Sequence, residues 1–138
     1  MKRNINNIFI DTNVLIGMYL ERPADVECLR YLFSLKGKKL FISALSVAQF
    51  IAFFQRKMPN AKIKEIINYF FTKFIIIEFN EKDIQNALRY EYTDLEDTIQ
   101  YIVGSKLNCF YFVTNDRHFN TFLNINALKS SEIRTVKR

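Results

Sequence analysis

In 138 residues the chain has no tryptophan, one histidine, two cysteines, two prolines and three glycines. With so few glycines there is no loop rich enough in them to cradle a phosphate, so neither a P-loop nor a dinucleotide fingerprint is present. His118 stands alone, which excludes any acid–base pair built from two histidines. Cys28 and Cys109 lie far apart and form no C-x-x-C pair. That argues against a zinc site and a disulfide scaffold, and for two buried thiols in a reducing cytosol. The scarcity of proline and glycine leaves no room for long linkers, so one domain over residues 1–138 is expected. No segment approaches the roughly 20 apolar residues of a membrane helix. The apolar run after the basic start, MKRNINNIFIDTN, is too short for a signal peptide. A cytoplasmic location is the expectation, with no membrane partner.

Hydrophobic residues make up 49% and charged residues 25% of the chain, a globular balance. Its 14 phenylalanines and 7 tyrosines fall mostly in periodic apolar runs and read as core. The formal charge of +6 favours a polyanionic partner, because Lys and Arg displace counterions from phosphates.

Short apolar runs alternate with helical periodicity. Strands are expected at residues 7–10, 40–43, 75–77 and 110–114, with a last edge strand at 133–136. Helices are expected at 14–20, 23–35, 43–56, 61–74, 81–90 and about 94–106, with a short turn at 117–122. Asp11-Thr12-Asn13, Ser43 and Asn80 supply caps, as does Thr93 or Asp94, and Pro23 suits a first helical turn. In the helix from 43, Val47, Phe50, Ile51 and Phe54 form the apolar stripe. In the helix from 94, Leu95, Ile99, Ile102 and Val103 form one face, opposite Asp94, Asp97, Tyr101 and Ser105. Gly104 permits close helix–strand packing. Strands separated by helices imply a three-layer α/β/α fold around a mainly parallel sheet of four or five strands. Ligands bind such sheets beyond the carboxyl ends of the strands.

Acids sit at such ends. Asp11 closes the first strand, Asp116 follows the run 110–114, and Asp94 and Asp97 occupy the first turn of a helix. Clustered carboxylates repel unless protons or a cation intervene. Hard oxygen donors suit Mg²⁺ or Mn²⁺, which activate water and offset phosphoryl charge. Each acid also has a plainer use: Asp11 and Asp94 as helix caps, and Asn115-Asp116 as turn chemistry. His118 reads as a surface or packing residue.

Order and spacing add to this. FIDTNVLI, ISALSVAQF, DLEDTIQYIVG and YFVTNDRHF together resemble the PIN-domain family over most of the chain, from Ile8 to about Phe119. The resemblance implies a PIN-like fold and a metal-dependent ribonuclease, cleaving RNA phosphodiesters, of the VapC-like kind found as the toxin of a toxin–antitoxin pair. It implies catalytic and metal-binding roles for Asp11, Asp97 and Asp116, with Mg²⁺ or Mn²⁺ as cofactor. Asp94, Thr12, Asn13 and Thr114 become auxiliary residues that orient the acids or the metal's waters. An antitoxin protein and a homodimer are implied as partners. Arg117 and Arg56 are expected to hold the RNA backbone.

The pattern departs from the family at Gln49, where PIN domains carry a glutamate. Glutamine keeps one acceptor oxygen but loses a full charge and is a poorer proton acceptor. The alternative function is therefore a catalytically weakened PIN scaffold that binds RNA or protein. Phosphotransfer domains on similar sheets fit poorly, since Asn13 stands where a second acid is needed and Phe9-Ile10 precede Asp11.

Overall fold

The computed structural model describes residues 2–92 and 94–137, and for His118 the backbone alone. The Thr93 cap and the surface or packing role of the His118 side chain lie outside the described residues. Five parallel strands form one sheet in the order β3–β2–β1–β4–β5: β1 (Asn4–Ile10), β2 (Lys39–Ser43), β3 (Ile75–Ile77), β4 (Cys109–Val113) and β5 (Asn126–Leu128). Six α-helices connect or cover them: α1 (Thr12–Tyr19), α2 (Pro23–Ser34), α3 (Ala44–Phe54), α4 (Asn60–Lys73), α5 (Glu81–Leu88) and α6 (Leu95–Lys106). The layering is α/β/α, as expected from helices alternating with buried strands.

Side-chain alternation along the strands divides the core in two. Ile8, Ile10, Leu40, Ile42 and Val113 pack into the core beneath α1–α4, with Phe50, Phe54 and Phe70. Phe9, Phe41 and Phe112 point to the other face, against Tyr101, Ile102, Val103, Phe119 and Phe122. Most of the aromatic content is thus spent on filling two layers. Both cysteines are free and buried, and burial pushes each thiol up to about 12.

Three expectations change. The last strand does not lie at 133–136. Those residues belong to a 3₁₀ segment, Ser130–Thr135, and its exit, whereas β5 is Asn126–Leu128. Ile133 and Val136 are 3% and 0% exposed, and their spacing of three suits a helical turn better than a strand. The first strand begins at Asn4 instead of residue 7, because its polar start is exposed and carries no hydrophobic signal. Leu95, assigned to the apolar face of α6, is 52% exposed, while Thr98 and Gln100 are buried. The helix lies against both the sheet and α5, so polar groups are enclosed along with apolar ones.

Gly104 meets its expectation. A Cβ there would lie 2.5 Å from Phe112 Cζ and 3.1 Å from Phe9 Cδ2, on ring atoms at the centre of a packed layer. Gly104→Ala is expected to destabilise the protein by about 1–3 kcal/mol through overpacking, read as a lower urea midpoint at constant m-value. A midpoint equal to wild type would show that the layer has slack the geometry denies.

Candidate functional site

The connectivity of the sheet reverses between β1 and β4, one leading outward through β2 and the other through β5. A crevice opens at such a switch point, beyond the carboxyl ends of the two strands. Asp11 follows β1 directly and caps α1. Its Oδ1 accepts the Thr12 backbone N–H at 2.8 Å. Its Oδ2 accepts the Thr114 hydroxyl at 2.8 Å and the Asn13 amide at 3.1 Å. Thr114 Oγ1 in turn accepts the Asp116 backbone N–H at 3.0 Å. One threonine side chain therefore ties the acid after β1 to the acid after β4.

The start of α6 brings the other two acids. Asp94 caps the helix and accepts the Asp97 N–H at 2.9 Å. One carboxylate oxygen from each of Asp94, Asp97 and Asp116 lies within 4.8 Å of the others. Asp97 also shares a hydrogen bond with Asp116. The tightest grouping differs from the set expected from sequence. Asp94, expected as auxiliary, is inside it; Asp11 stands beside it, with both carboxylate oxygens already bonded within the protein. Arg56 and Arg117 are both exposed, Arg117 immediately after Asp116.

Gln49 sits between two of these regions. Its Oε1 accepts the Thr12 hydroxyl at 2.5 Å, and its Nε2 donates to Glu96 Oε1. A glutamate could accept from Thr12 equally well, but it would meet Glu96 as a like charge.

Beneath the acids lies a polar network that the sequence reading missed. Gln100 Nε2 donates to Ser46 Oγ at 2.8 Å and reaches Thr12 Oγ1 at 3.3 Å and Asp11 Oδ1 at 3.4 Å. Gln100 Oε1 accepts the Ser43 hydroxyl at 2.6 Å. Spacing was the available signal, since Gln100 lies three residues after Asp97 on the same helix. A second missed group holds the turn that carries Asp116. Asn115 donates to the buried carboxylate of Asp25 at 3.0 Å and accepts the Ser130 N–H at 3.1 Å. Gly17 makes room for Asp25: a Cβ there would fall 1.7 Å from Asp25 Oδ2.

No family model matches the chain. Ribonuclease VapC1 of Aquifex aeolicus (strain VF5) is 28% identical over 127 residues, 84% of this chain and 85% of that protein. DNA-bound VapBC from Salmonella typhimurium superimposes with a TM-score of 0.69 at 17% identity, covering 94% of this chain and 99% of that one. A toxin–antitoxin complex from Klebsiella pneumoniae gives 0.65 at 19% identity, with 86% and 95% covered. The chain shares the fold of these VapBC and toxin–antitoxin structures. In it the switch-point crevice between β1 and β4 is where the four aspartates gather.

The electrostatics of this crevice are costly without a cation. Two full charges 4–5 Å apart repel by roughly 3–4 kcal/mol at an effective dielectric of about 20. Asp97 responds by holding its proton: burial first, then its hydrogen bond with Asp116 and the charges of Asp11, Asp116 and Asp94, raise its pKa from 3.8 to about 9. Burial also raises Asp11, to about 6, against the hydrogen bonds from Thr114 and Thr12. The donor set fits a hard divalent cation, because three carboxylates offer oxygen alone at mutual distances one ion can span.

Both acids have folded pKa values above their unfolded ones. Their contribution to stability is fully present below about pH 4 and is lost as pH rises through about 6 for Asp11 and about 9 for Asp97. Without metal, Asp97→Asn is therefore expected to melt a few degrees above wild type at pH 9, with the gap closing toward pH 4. Calorimetric scans in EDTA across that range measure it. A gap independent of pH would show that Asp97 is not held protonated by its neighbours.

Proposed function

We propose that this chain is a Mg²⁺- or Mn²⁺-dependent endoribonuclease, the toxin of a toxin–antitoxin pair acting in the cytoplasm. The observation that carries this reading is the gathering of Asp94, Asp97 and Asp116, beside Asp11, at the switch point of a VapC-like PIN fold. The ribonuclease name of the Aquifex relative and the net charge of +6 support RNA as the substrate. The Klebsiella toxin–antitoxin complex supports an antitoxin partner, and a homodimer remains part of the proposal by family resemblance.

A bound divalent cation would offset the carboxylate and phosphoryl charges and make a water nucleophilic. Asp94, Asp97 and Asp116 would hold it, with Asp11 adding charge alongside. Asp97 must release its proton to serve, which ties activity to rising pH. Thr114 and Asn13 keep Asp11 in one orientation, and Thr114 also fixes the backbone of Asp116. Arg117 and Arg56, both exposed, would hold phosphates of the RNA backbone.

Gln49 favours a second reading, a PIN scaffold that binds without cutting, because its amide adds no charge to the crevice. The four aspartates weigh against that: the carboxylates a divalent ion needs are present without residue 49. Wild-type protein is expected to cleave RNA with Mn²⁺ or Mg²⁺ and not with EDTA. Asp97→Asn should lose about 100-fold or more, since disturbing even partners that only orient metal ligands costs about 10–100-fold. Equal residual cleavage by wild type and Asp97→Asn would sink the nuclease reading.

Gln49→Glu bears on the two readings separately. The added acid should destabilise the metal-free protein by repelling Glu96 and should tighten Mn²⁺ binding in a calorimetric titration. Unchanged Mn²⁺ affinity would put residue 49 outside the metal's influence.

A further inference from the structure

A second feature lies further along the same helix as Asp97. Residues 97 to 105 of α6 span about 12 Å at the helical rise. Beyond the first turn, Tyr101 and Lys106 join Arg3, Asn86, Arg89 and Tyr90 around a cleft of about 430 Å³. Three of these side chains are cationic, two are aromatic and none is acidic. The nucleic-acid contacts expected from the sequence, Arg117 and Arg56, are not among them.

The cations differ in how they are held. Lys106 is largely spent, bonded to Asp83 Oδ2 and the Glu78 carbonyl, each at 2.7 Å. Arg3 is fixed but not exhausted. It donates to the Cys109 carbonyl at 3.0 Å and the Tyr101 hydroxyl at 3.3 Å, and its guanidinium lies 5.4 Å from the Tyr101 ring centre. A guanidinium has five N–H donors, so others remain for a ligand, and the group is already oriented. Arg89 is exposed at the end of α5.

The aromatic groups connect the cleft to the acids. Tyr90 is 43% exposed. Its ring stacks on Tyr92 at 5.5 Å and 15°, and meets Tyr101 edge-on at 6.1 Å. Tyr92 is anchored on Phe122 at 4.4 Å. Both tyrosines belong to the connection that ends in Asp94, a member of the carboxylate grouping. A half-exposed ring on an aromatic stack, flanked by guanidinium groups, suits an unpaired base and its phosphates.

We propose that this cleft is a second subsite for single-stranded RNA, in which Tyr90 stacks a base and Arg3 and Arg89 hold phosphates of a strand whose scissile bond lies at the acid crevice. The inference rests on the ribonuclease reading. It is tested by fluorescence anisotropy with a labelled single-stranded RNA, on Asp97→Asn protein in EDTA so that the RNA stays intact. In that background Tyr90→Ala should weaken binding about 5-fold or more by removing a stacking platform, and Tyr90→Phe should stay within about 2-fold. Arg89→Ala should weaken binding and flatten the slope of log K against log salt by about 0.7, the loss of one phosphate contact. Both altered residues are exposed, so the fold tolerates the changes. If Tyr90→Ala and Arg89→Ala bind within about 2-fold of the parent with the same salt slope, while Arg117→Ala weakens binding, the cleft is not a subsite and the ribonuclease reading stands. If the Asp97→Asn parent binds no RNA even at low salt, both fail together.

Discussion

The mutual repulsion of carboxylates is the constraint on which the functional end of this protein depends. Asp94, Asp97 and Asp116 are brought within 4.8 Å of one another, with Asp11 beside them, in surroundings that bury Asp97 and Asp11. Left to themselves they would splay apart. The fold prevents this from three directions. The end of β1 fixes Asp11, the end of β4 and the Thr114 hydroxyl fix the chain at Asp116, and the α6 cap fixes Asp97 through Asp94. Burial first, and the neighbouring carboxylates after it, raise the Asp97 pKa from 3.8 to about 9. A site built this way trades stability for readiness to accept a cation, the usual relation between strained acid groups and function.

Much of this was legible in the sequence because the elements that place the acids carry strong local signals. Apolar runs ending in DTN and TND mark two strand ends, and the DLED stretch marks a capped helix. The parallel sheet followed from strands alternating with amphipathic helices. Asp94 was harder to read, because a cap residue and a metal ligand look alike until the neighbouring strand ends are in place. Gln100 carried only its three-residue spacing from Asp97 as a signal, and Asp25 carried none. Their importance comes from groups far away in sequence: Gln100 meets Ser46 and Asp11 across 54 and 89 residues, and Asp25 meets Asn115 across 90. The final strand failed for a different reason. Asn126–Leu128 is too short and polar to show a period, while the Ile133/Val136 pair draws attention to a turn that packs mainly against α2.

Gln49 takes on a local meaning in this setting. It links the Thr12 hydroxyl to the Glu96 carboxylate, accepting from one and donating to the other. A glutamate at this position cannot donate, so the glutamine and Glu96 are chemically matched. The substitution therefore lowers the charge of the crevice without leaving a broken contact. The proposed RNA cleavage rests on the aspartates that remain, and fixed guanidinium and tyrosine groups line the flank of α6.

The central claim, that the crowded aspartates form the seat of a divalent cation, is tested most directly by diffraction from crystals grown with Mn²⁺ and recorded near the manganese absorption edge. The account predicts one strong anomalous peak touching carboxylate oxygens of Asp97 and Asp116, at about 2.1 Å as expected for a small hard cation. A crevice without such a peak at saturating Mn²⁺, with Asp97 and Asp116 still sharing a hydrogen bond, would contradict it.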